Sequence, residues 1–168
     1  MKISLIVMGI LVAVVLIVVV IGYSLPVKHQ VSREAILPAT PAQVFGAITN
    51  VGAFPKWRSR VTSVDVLPSV NGKRSFLERG SDGAILFVVD DEVPDRRLVT
   101  RIADPSLPFG GTWTFEITPA TSGTTLRITE DGEVYNPIFR FISRFVFGHS
   151  ATIDGYVADL GKHLAATG

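Results

Sequence analysis

The hydrophobic pattern divides the chain into an apolar N-terminal segment and a longer region in which apolar and polar residues alternate. Residues 3–25 carry no charged side chain. A helix of about 20 apolar residues is long enough to span the hydrocarbon core of a bilayer, and such a helix satisfies its own backbone hydrogen bonds in lipid. We therefore predict a transmembrane signal-anchor helix at residues 1–25 and a folded domain at residues 26–168.

A cleaved signal peptide is the alternative interpretation of the first segment. The apolar run is longer than the usual signal-peptide core, and no A-x-A-like cleavage site follows it. Lys2 lies before the segment and Lys28 and Arg33 lie after it, so the positive-inside rule gives nearly a tie. A short N-terminus before a folded domain is typical of an uncleaved anchor, which places this single-pass protein in the cell membrane with its domain outside the cytoplasm.

The remainder of the chain contains a series of predicted strands. A first strand is expected at residues 29–37, and later strands are separated by the turn sequences NG (71–72), GSDG (80–83), PDR (94–96) and TSG (121–123). In GGTWTFEIT, residues 110–118, apolar and polar residues alternate as they do in a half-buried strand. Short turns between successive strands predict an antiparallel meander.

Helical patterns flank the later strands. Thr40 is a suitable N-cap and Pro41 a suitable first helical residue, and a second short turn is expected around residues 54–57. Residues 137–165 repeat apolar positions at helical spacing, with Gly148 as a point of kinking or division. The expected fold is α+β: a curved antiparallel sheet wrapped round a long C-terminal helix. A gap between such layers is a common site for apolar ligands.

Four motifs carry a family resemblance: ATPAQVFGAITNVGAFPKW, LPFGGTWTFEI, GTTLRITEDGEV and YNPIFRFISRFVFG. Together they resemble the START/Bet v 1-like superfamily, the SRPBCC or polyketide cyclase/dehydrase and lipid-transport proteins, and in particular an uncharacterised, membrane-anchored bacterial subgroup. The resemblance covers residues 29–165. It implies a helix-grip fold with an apolar pocket between sheet and helix. It implies no reaction, because the superfamily contains carriers, receptors and cyclases.

Composition removes several classes of function. The chain has no cysteine, which excludes disulfides, thiolate nucleophiles and cysteine-based zinc sites. The net charge is +1 and no basic run is present, so we expect no nucleic-acid partner. The three histidines lack the spacing of metal ligands, and LPFGGTW lacks the lysine of a phosphate-binding loop. We therefore expect neither a metal nor a cofactor.

Glu130 is the leading candidate for chemistry in a pocket. It has the same parity as Leu126 and Ile128 in its strand, so its side chain should face the apolar interior. A carboxylate there is unfavourable unless it is paired or protonated. The alternatives are an exposed position and a structural ion pair, for which three arginines are candidates: Arg58, Arg101 and Arg140.

Further candidates come from the same physical criteria. Trp57 can stack on a ligand and Arg58 can pair with an anionic head group, although a core tryptophan and a solvated arginine explain them as well. Asn136 is expected to cap the last helix, with ligand contact as the alternative. The complete set of predicted ligand-binding residues is Trp57, Arg58, Trp113, Phe115, Glu130, Tyr135, Arg140, Phe141, Phe145 and His149.

The segment NPIFRFISRFVFG, residues 136–148, concentrates four phenylalanines around two arginines. On a helical wheel the residues Ile138, Phe139, Phe141, Ile142, Phe145 and Val146 form a broad apolar arc. An arc of this width suits the wall of an apolar cavity, which we favour. It also suits a helix at a membrane interface, or an interface between copies of the chain.

We expect the protein to bind a small hydrophobic or lipid-like ligand in a cavity between sheet and helix while tethered to the membrane. The alternative is a cyclase or dehydratase acting on a polyketide-like substrate, with Glu130 and either a nearby arginine or Tyr135 as acid–base groups. A third interpretation, a scaffold, predicts a filled core. The sequence leaves open which of these is correct, and whether any reaction is catalysed.

Overall fold

The first helix stands apart from the sheet. The computed structural model describes residues 2–148 and 150–167. Helix α1 (Lys2–Ser24) contains the apolar segment, and its side chains are exposed along most of its length. Among the described residues, one helical segment, Ile3–Ser24, is both long enough and apolar enough to cross a membrane.

Seven antiparallel strands form a single sheet in the order β1-β7-β6-β5-β4-β3-β2. The predicted meander is confirmed, and β1 extends it by pairing with β7. In the turn between β2 and β3, Asn71 and Gly72 both have positive φ, as the NG sequence predicted. The strands are β1 (Lys28–Leu37), β2 (Val61–Val70), β3 (Lys73–Gly80), β4 (Gly83–Val93), β5 (Arg97–Ile102), β6 (Phe109–Ala120) and β7 (Gly123–Val134).

Two short helices follow β1, as predicted. Helix α2 (Pro41–Thr49) begins with a capping box, in which the Thr40 side chain accepts a hydrogen bond from the Gln43 backbone N–H and the Gln43 side chain accepts one from the Thr40 backbone N–H. A 3₁₀ turn (Val51–Ala53) leads into α3 (Phe54–Trp57). This insertion brings α2 and α3 against the C-terminal helix.

The predicted helix at residues 137–165 is divided into two helices. Helix α4 (Pro137–Ile142) continues into a π-helical turn (Ser143–Phe147), and α5 (Ala151–Thr167) begins after a break. Gly148 has φ of 73°, which a residue with a side chain adopts rarely and which ends the first helix. The division therefore occurs at the glycine where the sequence suggested it.

Helix α5 packs on the concave face of the sheet and confirms the helix-grip fold. It buries Ile153, Tyr156, Leu160 and Leu164. The helix runs along β1: Arg33 Nε donates to Asp154 Oδ1 at 2.8 Å near its start. The first residues of β1 therefore lie beyond the N-terminus of α5. Helix α5 does not cover that end of the concave face, which we call the open end.

Candidate functional site

The part of the concave face under α5 is packed with side chains. Leu126, Ile128, Ile153 and Leu160 are all 0% exposed. Two clefts, of about 330 Å³ and about 560 Å³, are lined by residues outside this interface. Large apolar residues from both layers therefore fill the space beside these four residues under α5.

Tyr156 on α5 is the centre of this packing. Its ring lies 5.6 Å from the ring of Phe115 and 5.7 Å from that of Trp113. The Trp57 ring lies 5.4 Å away, and it also stacks on His163 at 5.6 Å. The structure thus places Phe115 in the core, and Trp57 and Trp113, both half-buried, against it.

Arg58 occupies a structural site in the same region. Its guanidinium lies 4.9 Å from the ring centroids of both Phe54 and Tyr156, and it forms an ion pair with Glu78 on β3. Burial raises the pKa of Glu78, while Arg58 acts in the opposite direction. Two flanking rings and a buried carboxylate occupy this arginine, so it is not the solvated residue considered above.

The open end of the concave face contains the predicted carboxylate. Glu130 on β7 is paired with Val31 on β1 and with Trp113 on β6, and all three are half-buried. The parity argument is confirmed, because Glu130 faces the same side of the sheet as Leu126 and the packed core. A carboxylate, an indole and an apolar side chain therefore border one site.

His29 is the partner of Glu130, in place of the arginines considered from the sequence. Its Nε2 lies 3.4 Å from Glu130 Oε1, and the two side chains are 16% and 19% exposed. Arg101 instead pairs with Asp90, and Arg58 pairs with Glu78. Among the described residues, the ion-pair partner of the carboxylate is thus a titratable imidazole.

Burial shifts the titration of both members of this pair. It raises the pKa of Glu130 from 4.5 to about 7, and a hydrogen bond with the Trp113 side chain acts in the opposite direction. Burial also lowers the pKa of His29. Near neutral pH the carboxyl is therefore divided between its protonated and ionised forms, and the imidazole is mainly neutral. Such a pair can donate or accept a hydrogen bond and can transfer a proton.

Gly132 provides the space in which this pair forms. A Cβ added to Gly132 would lie 2.4 Å from both Cε1 and Nε2 of His29, and 2.9 Å from Glu130 Oε1. The register places Gly132 opposite both His29 and Gly111. The glycine in TEDGEV therefore allows the imidazole to lie against the sheet beside the carboxylate.

Arg140 lies at the junction between the domain and α1. Only 8% of the residue is exposed. Its guanidinium donates to the backbone carbonyl of Leu25 at 2.8 Å and to that of Tyr135 at 3.3 Å. The Arg140 side chain thus stabilises a carbonyl just beyond the C-terminus of α1. It does not approach Glu130.

Tyr135 is separate from the carboxylate site as well. Its hydroxyl donates to Glu133 Oε2 at 2.8 Å, and this interaction raises the pKa of Tyr135. The residue is 47% exposed and lines the larger cleft, which lies at the start of β6 near Gly110 and Gly111. Pairing of Tyr135 with Glu130 as joint acid–base groups finds no support in this geometry.

The phenylalanine segment does not form a closed wall. Phe141 is half-buried and its ring contacts that of Phe145 at 4.9 Å. Phe145 itself is 60% exposed and Val146 is 64% exposed. The predicted cavity wall is wrong for these two residues, because the break at Gly148 separates their helix from α5. The prediction for His149 lies outside the described residues.

His29 is the member of the site that the sequence prediction lacked. It has the parity of Val31 and Leu37 in β1, which is the available local signal, but its partner lies 101 residues further along the chain. Within residues 2–148 and 150–167, no group of three or more His, Asp or Glu side chains is arranged to hold a metal ion. The site therefore combines one carboxyl and one imidazole with Val31 and Trp113 on the adjoining strands.

Comparison with protein-family models matches residues 28–162 to polyketide cyclase/dehydrase and lipid transport proteins. The chain belongs to this family. The match includes the whole sheet and most of α5, and so contains the His29–Glu130 pair. Among curated proteins, none matches the sequence.

Several solved structures share this fold. A START superfamily protein from Mycobacterium smegmatis has a TM-score of 0.68 at 16% identity, over 83% of this chain and 99% of that one. The di-domain aromatase/cyclase StfQ of steffimycin biosynthesis has a TM-score of 0.67 at 15% identity, over 84% of this chain and 52% of that one. A Rhodobacter sphaeroides protein has a TM-score of 0.61 at 21% identity, over 83% of this chain and 93% of that one. At these identities the likeness establishes the fold alone.

Proposed function

We propose that the protein binds a small apolar or lipid-like molecule at the open end of its concave face while α1 holds it at a membrane. The observation that carries the proposal is the half-buried His29–Glu130 pair, with Val31 and Trp113 opposite the carboxylate on the neighbouring strands. A ligand with an apolar body and one hydrogen-bonding group suits such a surface, because the body replaces water on Trp113 and Val31 while the polar group meets the pair.

The position of the site supports a membrane source for the ligand. The smaller cleft, of about 330 Å³, is lined by residues on both sides of the α1–β1 junction, among them Leu25, Val27 and His29. An apolar ligand partitions into a bilayer, so a binding surface next to an anchor helix meets it at high local concentration. The family description, which includes lipid transport, agrees with this class of ligand.

Filling the site provides the test. In Val31→Trp, a bulky indole would replace the side chain opposite Glu130, so the full chain in detergent micelles should lose most of its binding of an anilinonaphthalene fluorescent probe. Val66→Trp is the matched control, because Val66 is 71% exposed on β2 and the same substitution should leave binding unchanged. Equal binding by both variants would exclude the open end as the site.

A proton-transfer enzyme is the second candidate, and the pKa of about 7 for Glu130 favours it. General acid–base groups work best when their pKa lies near the operating pH. The variant Glu130→Gln distinguishes the two candidate functions, because it keeps the shape of the side chain and removes the titratable group. A carrier should retain probe affinity within about threefold, whereas an enzyme would lose turnover of a polyketide-like substrate by a factor on the order of 10² or more.

A further inference from the structure

Helix α4 and the π-helical turn carry an unusual amount of exposed apolar surface. Ile138, Phe139, Phe145 and Val146 are 39%, 48%, 60% and 64% exposed. We call these four residues the apolar ledge. They follow one another within nine positions, and nothing in the described part of the domain covers them. Grouped exposed apolar side chains in a folded domain commonly mark a contact with a membrane or a partner.

The ledge is attached to the end of α1 by close backbone packing. Helix α4 packs against α1, and a Cβ added to Gly22 would lie 2.0 Å from the Pro137 carbonyl oxygen. Val18, Val19 and Ile21 of α1 are half-buried, whereas most other residues of this helix are exposed. The contact thus involves the last two turns of α1, about 10 Å of helix at 1.5 Å per residue.

This geometry fixes the depth of α4 relative to a bilayer that α1 enters. A helix packed beside the last two turns of a spanning segment lies at the level of the interfacial layer, and it cannot move far from it while the Gly22–Pro137 contact persists. Arg140 strengthens the attachment, because its buried guanidinium donates to Leu25 and lies 5.9 Å from the ring of Tyr23. Tyrosine is enriched at membrane interfaces.

We propose that the apolar ledge inserts into the interfacial layer of the membrane, so that the domain lies on the bilayer in a fixed orientation. The proposal rests on the tethering part of the proposed function. Lys28, whose 82% exposed side chain pairs with Glu133, and the exposed Arg144 line the smaller cleft with Arg140 of α4 and can reach lipid phosphates. In this orientation the start of β1, with His29, faces the membrane, and a ligand can pass from lipid to the site without crossing bulk water.

The absence of cysteine in the sequence makes a direct test available. Single-cysteine variants of the full chain are labelled with a nitroxide and placed in vesicles of phosphatidylcholine and phosphatidylglycerol. Phe145→Cys and Val146→Cys report on the ledge, and Val12→Cys reports on the middle of α1. Ser122→Cys, in the exposed turn at the far end of the sheet, is the matched control. Collision rates with oxygen, which concentrates in lipid, are compared with those of a water-soluble nickel complex.

The expected result is an oxygen-to-nickel collision ratio at positions 145 and 146 that exceeds the ratio at 122 several-fold and approaches the ratio at 12. A ratio at 145 and 146 equal to that at 122, with position 12 in lipid, would overturn the docking proposal and leave the tether intact. Water access at position 12 would overturn tether and docking together. Dipolar broadening between labels at 145 would show that a second copy covers the ledge, which also overturns the proposal. Ligand binding itself is tested separately, by measuring probe binding to the Val31→Trp variant.

Discussion

The two ends of the concave face hold their half-buried carboxylates in different ways. At the end covered by α5, Glu78 is paired with Arg58, a permanent cation fixed between two aromatic rings. At the open end, Glu130 faces His29, whose pKa burial lowers. Burial raises the pKa of both carboxyls, but only the covered one has a charge partner that remains at every physiological pH. The covered end is thus built for stability, and the open end retains a group that titrates.

Removal of Arg58 should have the largest effect. Arg58→Met leaves Glu78 buried without its cation, and loss of one partner of a buried pair costs about 3–5 kcal/mol. Thermal unfolding of the full chain in detergent, followed by circular dichroism, measures the change. In the double variant Arg58→Met/Glu78→Leu no charge is left behind, so most of the lost stability should return. If the single variant unfolds like the wild type, the covered end does not depend on its ion pair.

Replacement of Glu130 should change stability in a pH-dependent way. A carboxyl whose pKa is higher in the folded than in the unfolded state stabilises the fold below pH 4.5, and this contribution is lost as the pH rises to about 7. The free energy of unfolding of Glu130→Gln should therefore equal that of the wild type near pH 4 and exceed it by about 3 kcal/mol at pH 8. Urea unfolding at a series of pH values measures the difference.

His29 has the opposite pH dependence, since a lowered pKa makes the fold less stable as the pH falls. The imidazole is present in both proteins, and the difference between them therefore reports mainly on Glu130. A difference that stays constant from pH 4 to pH 8 would mean that Glu130 is not titrated near neutrality, and the contrast between the two ends would disappear.

Two glycines allow a matched test of the same contrast. In Gly132→Ala, the new methyl group meets His29 and Glu130, which should lower the free energy of unfolding by about 2 kcal/mol. The displaced imidazole should also regain a pKa nearer 6.5, as measured by NMR. Gly155 lies in α5 with nothing within 4 Å of an added Cβ. Gly155→Ala should therefore raise the free energy of unfolding by about 0.5–1 kcal/mol. Equal effects at both sites would contradict the close packing inferred at Gly132.

Local chemistry made much of the fold predictable from the sequence. The NG turn, the Thr40 capping box and the alternation in β6 and β7 each depend on residues close together in the chain. The inward direction of Glu130 follows from the same alternation, because a strand has a period of two. Gly148 likewise signalled the division of the C-terminal helix.

Contacts between distant segments explain what the sequence left undecided. His29 meets Glu130 because β1 pairs with β7, and that register is set by the whole sheet. Arg140 is buried because α4 packs against the end of α1, a contact between residues more than 110 positions apart. The filling of the space under α5 depends on how Tyr156 packs against rings from α3 and β6. Periodicity identifies faces of helices and strands, whereas these outcomes depend on which faces meet.

The smallest expected effect concerns α4, the helix nearest the open end. Unlike α5, which buries four side chains over 17 residues, α4 spans six residues and relies on its N-cap. Asn136 Oδ1 accepts hydrogen bonds from the backbone N–H groups of Ile138 at 2.9 Å and Phe139 at 3.2 Å. Loss of such a cap costs about 1 kcal/mol. Asn136→Ala should therefore speed hydrogen exchange of the α4 amides about fivefold and leave the α5 amides unchanged, while Asn136→Asp, which keeps the acceptor, should show little change. Faster exchange in both helices would mean that they open as one unit, and that the two ends of the concave face are less independent than their packing indicates.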